Sequence, residues 1–362
     1  MPRTPNAVDF WRGYALVSIF INHIPGIYYE RFTHRNLSFS DSAELFVFLA
    51  GWSLGYLVGG SDAPKSTPRL IFRLGGRAFQ IYAAQILISS IAIAILASAA
   101  FLLDNPLILE WHNAAAVFLD PVLTHIGLVL LTHQLGYFDI LPLYVVLMVV
   151  AAPLVALTYR FARPLLLPLS LAIYLAALIV PITVPTWPVP GQWFFNPFAW
   201  QVLFVLGFTL SRPDGIGGFV QRHIGMIRLV ALPLTVLSAI VVWFSLFPDP
   251  TIFPEPKLLF LNGKTFLTPV RLLQFLALVA VVSMTYLYIE RNALWLVTFL
   301  SVLGRNSLYV FCVASVLSLL GQIVRYLYSG SFAVDTVFVV VGIALLWLTA
   351  WVSEWSQQRA SG

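Results

Sequence analysis

The chain has 362 residues, of which 60% are hydrophobic and only 10% are charged, and its net charge is +5. Soluble domains carry about 25% charged residues, so this composition excludes a soluble protein, a disordered chain and a coiled coil. The basic residues are scattered between apolar runs, which does not indicate binding to nucleic acid. The single cysteine, Cys312, excludes an internal disulfide framework.

The apolar runs predict an all-α polytopic membrane protein in which residues 1–362 form a single transmembrane domain. Because a helical span needs roughly 20 residues, the chain has room for about ten spans. The first has no basic leader and no small-residue cleavage site, so we expect a permanent span. The predicted spans are 8–28, 41–59, 69–102, 137–160, 164–184, 197–211, 226–247, 267–289, 303–327 and 332–355.

Three stretches lie outside this pattern. Residues 111–134 are only partly apolar and contain three histidines, so we expect a re-entrant or interfacial segment. Residues 248–268 contain several prolines and glycines and are expected to form an exposed loop. The aromatic residues around 187–195 predict either an interfacial belt or a surface on which sugar rings stack.

The basic residues also predict the orientation. An arrangement with the N-terminus inside places most of the 20 lysines and arginines, among them Arg3 and Lys65, near the cytoplasm. It leaves six outside: Arg31, Arg35, Lys257, Lys264, Arg271 and Arg325. Because positive charge concentrates on the cytoplasmic side, both termini are predicted to be cytoplasmic.

The first span contains an arginine and a histidine on one face. His23 follows Arg12 by eleven residues, which is three helical turns, or about 17 Å along the axis. Ionisable residues inside a span are functional candidates. The pair therefore suggests a cavity that opens at the cytoplasm beside Arg12 and ends at the imidazole. A histidine bonded within the bundle and an arginine anchor paired with Asp9 are the structural alternatives.

The third span begins with an arginine stripe in TPRLIFRLGGRAFQ. Thr67 is a plausible N-cap and Pro68 suits the first helical position. Arg73 and Arg77 follow Arg69 at helical spacing, and three guanidiniums on one face suit a multiply phosphorylated ligand. The alternative is a solvated helix end. The adjacent Gly75 and Gly76 would let a neighbouring helix or a ligand approach closely.

The second span begins with two carboxylates in FSDSAELFVFLAGW. Asp41 is placed to cap the helix. Glu44 lies one turn further in, where it could orient and charge-balance His23, as carboxylates do in acyl transfer. The alternative is a structural ion pair, for example to Arg31 or Arg35.

Other polar residues allow weaker predictions. Asp139 and Asn196 begin later spans from the outward side, as helix caps or as the lining of an outward pocket. His112, His125 and His133 lack a compact metal-ligand spacing, so no metal site is predicted. The sequence also contains no Walker loop, no GxGxxG opening a helix and no GxSxG.

The motifs DFWRGYALVSIFINHIPG and FSDSAELFVFLAGW resemble the OpgC family, membrane proteins that succinylate osmoregulated periplasmic glucans. YFDILPLYVVLM, NPFAWQVLFVLGF and LGRNSLYVF extend the resemblance over most of the chain. The family belongs with the acyltransferase-3 type enzymes, which have ten core helices, an arginine and a histidine spaced as Arg12 and His23 are, and a basic stripe that Arg73 and Arg77 match best.

The resemblance implies an O-acyltransferase of the bacterial inner membrane. It would move an acyl group, succinyl in this family, from cytoplasmic acyl-CoA to a hydroxyl of periplasmic glucan, with acyl-CoA as co-substrate and no tightly bound cofactor. His23 and Glu44 would be catalytic, Arg12, Arg73 and Arg77 would bind the CoA, and Asp41, Asp139 and Asn196 would contact the glucan. The alternatives are an acetyltransferase acting on another surface polysaccharide and a transporter of an anionic solute. No internal repeat supports the transporter.

Overall fold

The computed structural model describes residues 4–59 and 66–360. Arg3 and Lys65, which were expected near the cytoplasm, lie outside the described residues. The helices, in chain order, are α1 Ala7–Asn22, α2 Ser42–Gly59, α3 Thr67–Leu102, α4 Ala115–Leu119, α5 Pro121–Val129, α6 Ile140–Val146, α7 Ala152–Phe161, α8 Leu166–Ile179, α9 Pro197–Leu210, α10 Gly215–Trp243, α11 Pro269–Val282, α12 Thr285–Asn292, α13 Leu294–Arg305, α14 Ser307–Leu327 and α15 Phe332–Ala360. Within the described ranges, the strands are β1 Pro185–Thr186 and β2 Gly191–Gln192, which pair antiparallel.

The helices confirm an all-α membrane protein. Seven described segments are long and apolar enough to cross a bilayer: Ser42–Gly59, Thr67–Leu102, Ile140–Phe161, Gly215–Trp243, Pro269–Asn292, Ser307–Leu327 and Phe332–Arg359. Three apolar helices are shorter, namely Arg163–Ile179, Pro197–Leu210 and Leu294–Arg305, and α1 has 16 residues. The total of ten spans and the cytoplasmic position of both termini stay predictions.

Caps and prolines set the helix bounds. The side chain of Asn6 accepts a hydrogen bond from the Asp9 amide at 2.9 Å and starts α1. Helix α3 starts at Thr67 with Pro68 in its first turn, where a missing N–H costs no helical hydrogen bond. The predicted cap is wrong by one residue, because Ser66 occupies the N-cap position and its side chain makes no capping bond.

Helix α13 is not among the predicted spans, since most of it lies in residues 290–302, between the eighth and ninth of them. It packs closely against α1 through two glycines. A Cβ on Gly13 would lie 1.9 Å from the carbonyl oxygen of Leu300, and one on Gly304 would lie 1.9 Å from that of Asp9. Small residues at a helix crossing let the two backbones touch. This contact brings α13 to the Arg12 end of α1.

Helices α2 and α9 cross in the same way. A Cβ on Gly51 would lie 1.9 Å from the carbonyl oxygen of Phe204, and one on Gly207 would lie 2.0 Å from that of Phe48. Any larger side chain at these glycines would force the helices apart. The two glycine crossings therefore fix α1 against α13 and α2 against α9.

The irregular segments fold partly as expected. Residues 111–134 form only short helices, of which α5 has nine residues, so no span lies there. The expected exposed loop is exposed over much of its length, but its end is not. Phe266, Leu267 and Thr268 are buried, and the Tyr174 hydroxyl donates to the carbonyl oxygen of Leu267 at 2.7 Å. The end of this loop therefore belongs to the core.

Candidate functional site

Two cavities lie in the bundle and meet at one side chain. The first, the histidine cavity, has a volume of about 620 Å³ and contains His23, Asp41, Asp139 and Lys264 in its wall. The second, the arginine cavity, has a volume of about 550 Å³ and is lined by all three arginines expected to bind CoA, Arg12, Arg73 and Arg77. Phe311 lines both cavities. The expected single cavity from Arg12 to His23 is therefore two cavities with Phe311 between them.

His23 ends α1 and turns its ring into the histidine cavity. The helix stops because Pro25 cannot continue it and Gly26 takes a positive φ of 76°. The ring lies 4.5 Å from that of Tyr137, measured between centroids, and Nδ1 is buried with no hydrogen-bond partner in the described structure. Nε2 is consequently the nitrogen available to a molecule in the cavity.

The backbone at His23 is held from α14. Gln322 Nε2 donates to the carbonyl oxygen of His23 at 2.6 Å. The other end of the same amide, Oε1, lies 2.7 Å from Nε2 of His112, which also lines the histidine cavity. One glutamine thus ties the end of α1 to the segment that contains His112.

Glu44 does not pair with His23, and that expectation is corrected. Its Oε1 accepts a hydrogen bond from Nε of Arg271, and its Oε2 accepts from the Asp41 amide at 2.9 Å. Asp41 Oδ1 accepts in turn from the Ala43 amide at 2.9 Å, which confirms Asp41 as a cap. The sequence DSAE is therefore a capping box. Glu44 is fully buried and its oxygens are engaged, so Arg31 and Arg35 are not its partners either.

Lys264 and Arg271 complete a buried charge network that the sequence did not reveal as a site. Lys264 Nζ lies 2.5 Å from Asp41 Oδ2, and Arg271 lies 3.4 Å from the same oxygen. Burial alone would raise the pKa of Asp41, but the charges of Lys264 and Arg271 outweigh burial and hold that pKa below its usual value. The available signal was the presence of two basic residues on the side that the sequence predicts to be outside, where positive charge is rare.

Aromatic rings support the lysine. Nζ of Lys264 lies 5.6 Å from the ring centroid of Phe194 and 5.4 Å from that of Phe195, within range of cation–π attraction. Both rings line the histidine cavity. Part of the aromatic stretch 187–195 therefore forms cavity wall, whereas Trp187 is 41% exposed.

Asp139 and Asn196 have different positions. Asp139 occupies the N-cap position of α6, but its side chain makes no capping bond and lines the histidine cavity. Burial raises the pKa of Asp139 to about 6, against the charge of Lys264. Asn196 is a cap, since its side chain accepts from the Phe198 amide at 3.0 Å. Its amide nitrogen donates to the carbonyl oxygen of Ile182, and the residue lines neither cavity.

The arginine cavity has a different chemistry. Arg12 donates to Ser53 Oγ at 2.5 Å and to the carbonyl oxygen of Leu49 at 3.3 Å, and it lies 3.5 Å from Asp9. Arg73 and Arg77 are exposed, and Arg77 donates to Gln80 at 3.3 Å. No carboxylate belongs to the described lining of this cavity.

The glycines of the stripe do not contact a helix. A Cβ on Gly75 or Gly76 would have nothing within 4 Å in the described structure, so the expected helix approach is absent there. Gly76 instead lines the arginine cavity, and Arg69 does not. The stripe therefore divides into two arginines at the cavity and one beside it.

Metal ligands are not gathered at either cavity. Over residues 4–59 and 66–360, no group of three or more His, Cys, Asp or Glu side chains could hold a metal ion. The chemistry available at the site is that of an imidazole, paired carboxylates and cations.

Fold and cavities together define a helical membrane protein with a cationic cavity and a histidine cavity that meet inside the bundle. The sequence model of the protein family described as 'OpgC protein' matches residues 3–358 of this chain. The chain therefore belongs to that family. Membership implies a membrane-embedded acyltransferase that modifies glucan. No curated protein and no solved structure matches the chain.

Proposed function

We propose that this protein transfers a succinyl group from acyl-CoA on the cytoplasmic side to a hydroxyl of periplasmic glucan, in the bacterial inner membrane. The observation that carries the proposal is the meeting of the two cavities at Phe311. A donor held in one cavity and an acceptor held in the other need to cross only this side chain to react.

The arginine cavity suits the CoA end of the donor. CoA carries several phosphate charges, and guanidiniums bind phosphate through paired hydrogen bonds. Arg73 and Arg77 present exposed guanidiniums in a lining without carboxylates. Arg12, which contacts Ser53 and the carbonyl oxygen of Leu49, forms the fixed wall between them and the bundle.

The route from one cavity to the other is aromatic. The ring of Phe311 stacks on that of Phe46 with centroids 6.2 Å apart, and Phe46 lies 5.6 Å from Tyr144. The Tyr144 hydroxyl is buried and has no hydrogen-bond partner in the described structure. A pantetheine arm, which is uncharged and carries amides, fits such a passage and offers the hydroxyl a partner.

The chemistry falls to His23. Nε2 takes the proton of a glucan hydroxyl as the oxygen attacks the thioester carbon. The carbon–sulfur bond then breaks, and the CoA sulfur leaves and takes up the proton. A transient acyl group on the same nitrogen gives the same product, and rapid quenching with labelled donor separates the two routes, because only the second leaves label on the protein.

The histidine cavity suits the glucan. Phe194 and Phe195 offer apolar faces for sugar rings, and Asp139 and Asn262 offer hydrogen-bonding groups in the same wall. Glu44 supports this wall through Arg271 and Asp41. We therefore assign Glu44 and Asn196 structural roles, and Asp41 and Asp139 positions at the acceptor.

The test is incubation of membranes containing the protein with glucan and each of three labelled donors, succinyl-CoA, malonyl-CoA and acetyl-CoA. We expect label in the glucan, with succinyl-CoA used best. Membranes prepared with the His23→Ala variant provide the control. Absence of labelled glucan with every donor, while the protein remains folded in the membrane, would contradict an acyl-CoA-dependent transferase.

A further inference from the structure

Among the described residues that line the histidine cavity, one cation has no partner in the described structure. Lys264 is paired with Asp41, and Arg271 is paired with Asp41 and Glu44. Arg35 lines the same cavity but has no ion pair, hydrogen bond or ring contact with any other described residue. The cavity that contains His23 therefore offers one uncommitted guanidinium.

The segment that carries Arg35 is anchored on both sides. Before it, Thr33 Oγ1 donates to the side-chain oxygen of Asn22 at 2.8 Å. After it, Ser38 Oγ donates to Gln274 Oε1 at 2.9 Å. Asn22 directly precedes His23, so the turn with Arg35 is fixed relative to the imidazole. The guanidinium itself is a planar, preorganised fork, so little freedom is lost for each hydrogen bond that it forms with a carboxylate.

We propose that Arg35 binds the free carboxylate of the acyl group during transfer and so makes the site selective for dicarboxylic acyl groups such as succinyl. This rests on the proposed function. In succinyl-CoA, three carbon–carbon bonds separate the thioester carbon from the carboxylate carbon, a span of about 4 Å. A thioester carbon at His23 therefore leaves the carboxylate in the same cavity. An acetyl or butyryl group presents no charge there.

The remaining charged groups in the wall favour Arg35 over its neighbours as the anion's partner. Lys264 is ion-paired with Asp41, and the single charge of Arg271 is paired with Asp41 and Glu44. A second anion at those residues would meet a carboxylate already in place. Asp139, the remaining acid of the wall, would repel the acyl carboxylate only when ionised.

The test compares the affinities of purified protein for succinyl-CoA and butyryl-CoA, two donors of equal chain length, in the absence of glucan. A hydrogen-bonded charge pair corresponds to about 10-fold in affinity, so the wild type is expected to prefer succinyl-CoA by about that factor. Arg35→Gln should abolish the preference, and Arg35→Lys should restore part of it. Arg31→Gln is the matched control, since Arg31 is exposed as Arg35 is and lies on the preceding turn, but contacts Tyr28 and lines neither cavity.

Because the assay measures binding without acceptor, its outcome is separate from that of the transfer assay. Wild type and Arg35→Gln with the same preference would overturn the inference. So would an equal loss of affinity for both donors, which would place Arg35 at the CoA phosphates.

Discussion

The two cavities differ in how their charges are balanced. At the wall of the histidine cavity, Asp41, Lys264 and Arg271 form a closed network with the buried Glu44, and Arg35 is the described cation of this wall that stands outside the network. In the arginine cavity, Arg73 and Arg77 are exposed and no described carboxylate lines the wall. The first arrangement fixes a geometry before any ligand arrives, and the second leaves cationic charge for the ligand to balance. This difference is expected if chemistry occurs in one cavity and a polyanion binds in the other.

The largest expected effect comes from substituting His23, the residue that the chemistry of the histidine cavity depends on. The variant His23→Ala should lower the transfer rate by about 10²–10⁴-fold, because loss of a general base costs that much. The rate of labelled glucan formation measures the effect. His125→Ala is the control, since His125 is exposed and lines neither cavity. Near-normal turnover of His23→Ala would remove the imidazole from the mechanism.

The closed network predicts a loss of stability rather than a specific loss of rate. Glu44→Gln leaves the buried Arg271 without its nearest charge, and breaking a buried pair costs about 3–5 kcal/mol. The melting temperature in detergent should fall well below that of the wild type, whereas Glu110→Gln at an exposed site should leave it unchanged. A fully stable Glu44→Gln protein with reduced turnover would instead return Glu44 to the chemistry.

Substitutions in the arginine cavity are expected to weaken the binding of acyl-CoA. Arg73→Ala and Arg77→Ala should raise the KM for acyl-CoA by about 10-fold with little change in kcat, because contacts to the phosphates are made equally in the ground and transition states. Lysine should rescue only part of the effect, since it cannot make the forked contact.

Arg69→Ala is the matched control for the stripe, because Arg69 lies one helical turn before Arg73 and does not line the cavity. If all three variants bind CoA as the wild type does, the stripe only anchors the helix end.

We expect the smallest effect from substituting Asp139, which should change how stability depends on pH. The sign of this change follows from the burial of the carboxyl. The pKa of Asp139 is raised to about 6, so the folded protein holds this proton more tightly than the unfolded chain does. Its contribution to stability is therefore present below a pH of about 4 and is lost as the pH rises to about 6. The variant Asp139→Asn should not show this pH-dependent loss of stability, which is of the order of 1–3 kcal/mol in the wild type. Melting temperatures from pH 4 to 7 measure it, with Asp104→Asn as the exposed control.

An unchanged pH dependence in Asp139→Asn would show that water reaches the carboxyl freely. The same result would weaken the comparison, because it would leave the histidine cavity no more shielded than the arginine cavity.

Sequence reasoning predicted the membrane fold and the residues with local signals. His23, Arg73 and Arg77 line cavities, as their helical spacing indicated. It missed the ion-pair partners of Asp41 and Glu44, because Lys264 and Arg271 are far from them in the chain and only packing brings them together. The capping box at Asp41 was visible in DSAE and already gave Glu44 a local role. Helix α13 was missed because its 12 residues are too few for a span, while its close packing depends on Gly13 in another helix.

The division into two cavities could not be predicted either. Arg12 and His23 do share a face, but whether the space between them is open depends on Phe311, which lies on α14. A helical pattern in the sequence predicts the direction of a side chain. It does not predict which side chain from another helix packs against it.

The most direct test of the central claim is transfer across the bilayer by sealed vesicles of defined orientation. Labelled succinyl-CoA is supplied only at the face that carries the arginine cavity, and glucan is enclosed at the other. The account predicts labelled glucan inside sealed vesicles and none when the donor is supplied only at the glucan face. Label that forms only when donor and glucan share one face would contradict transfer between the two cavities.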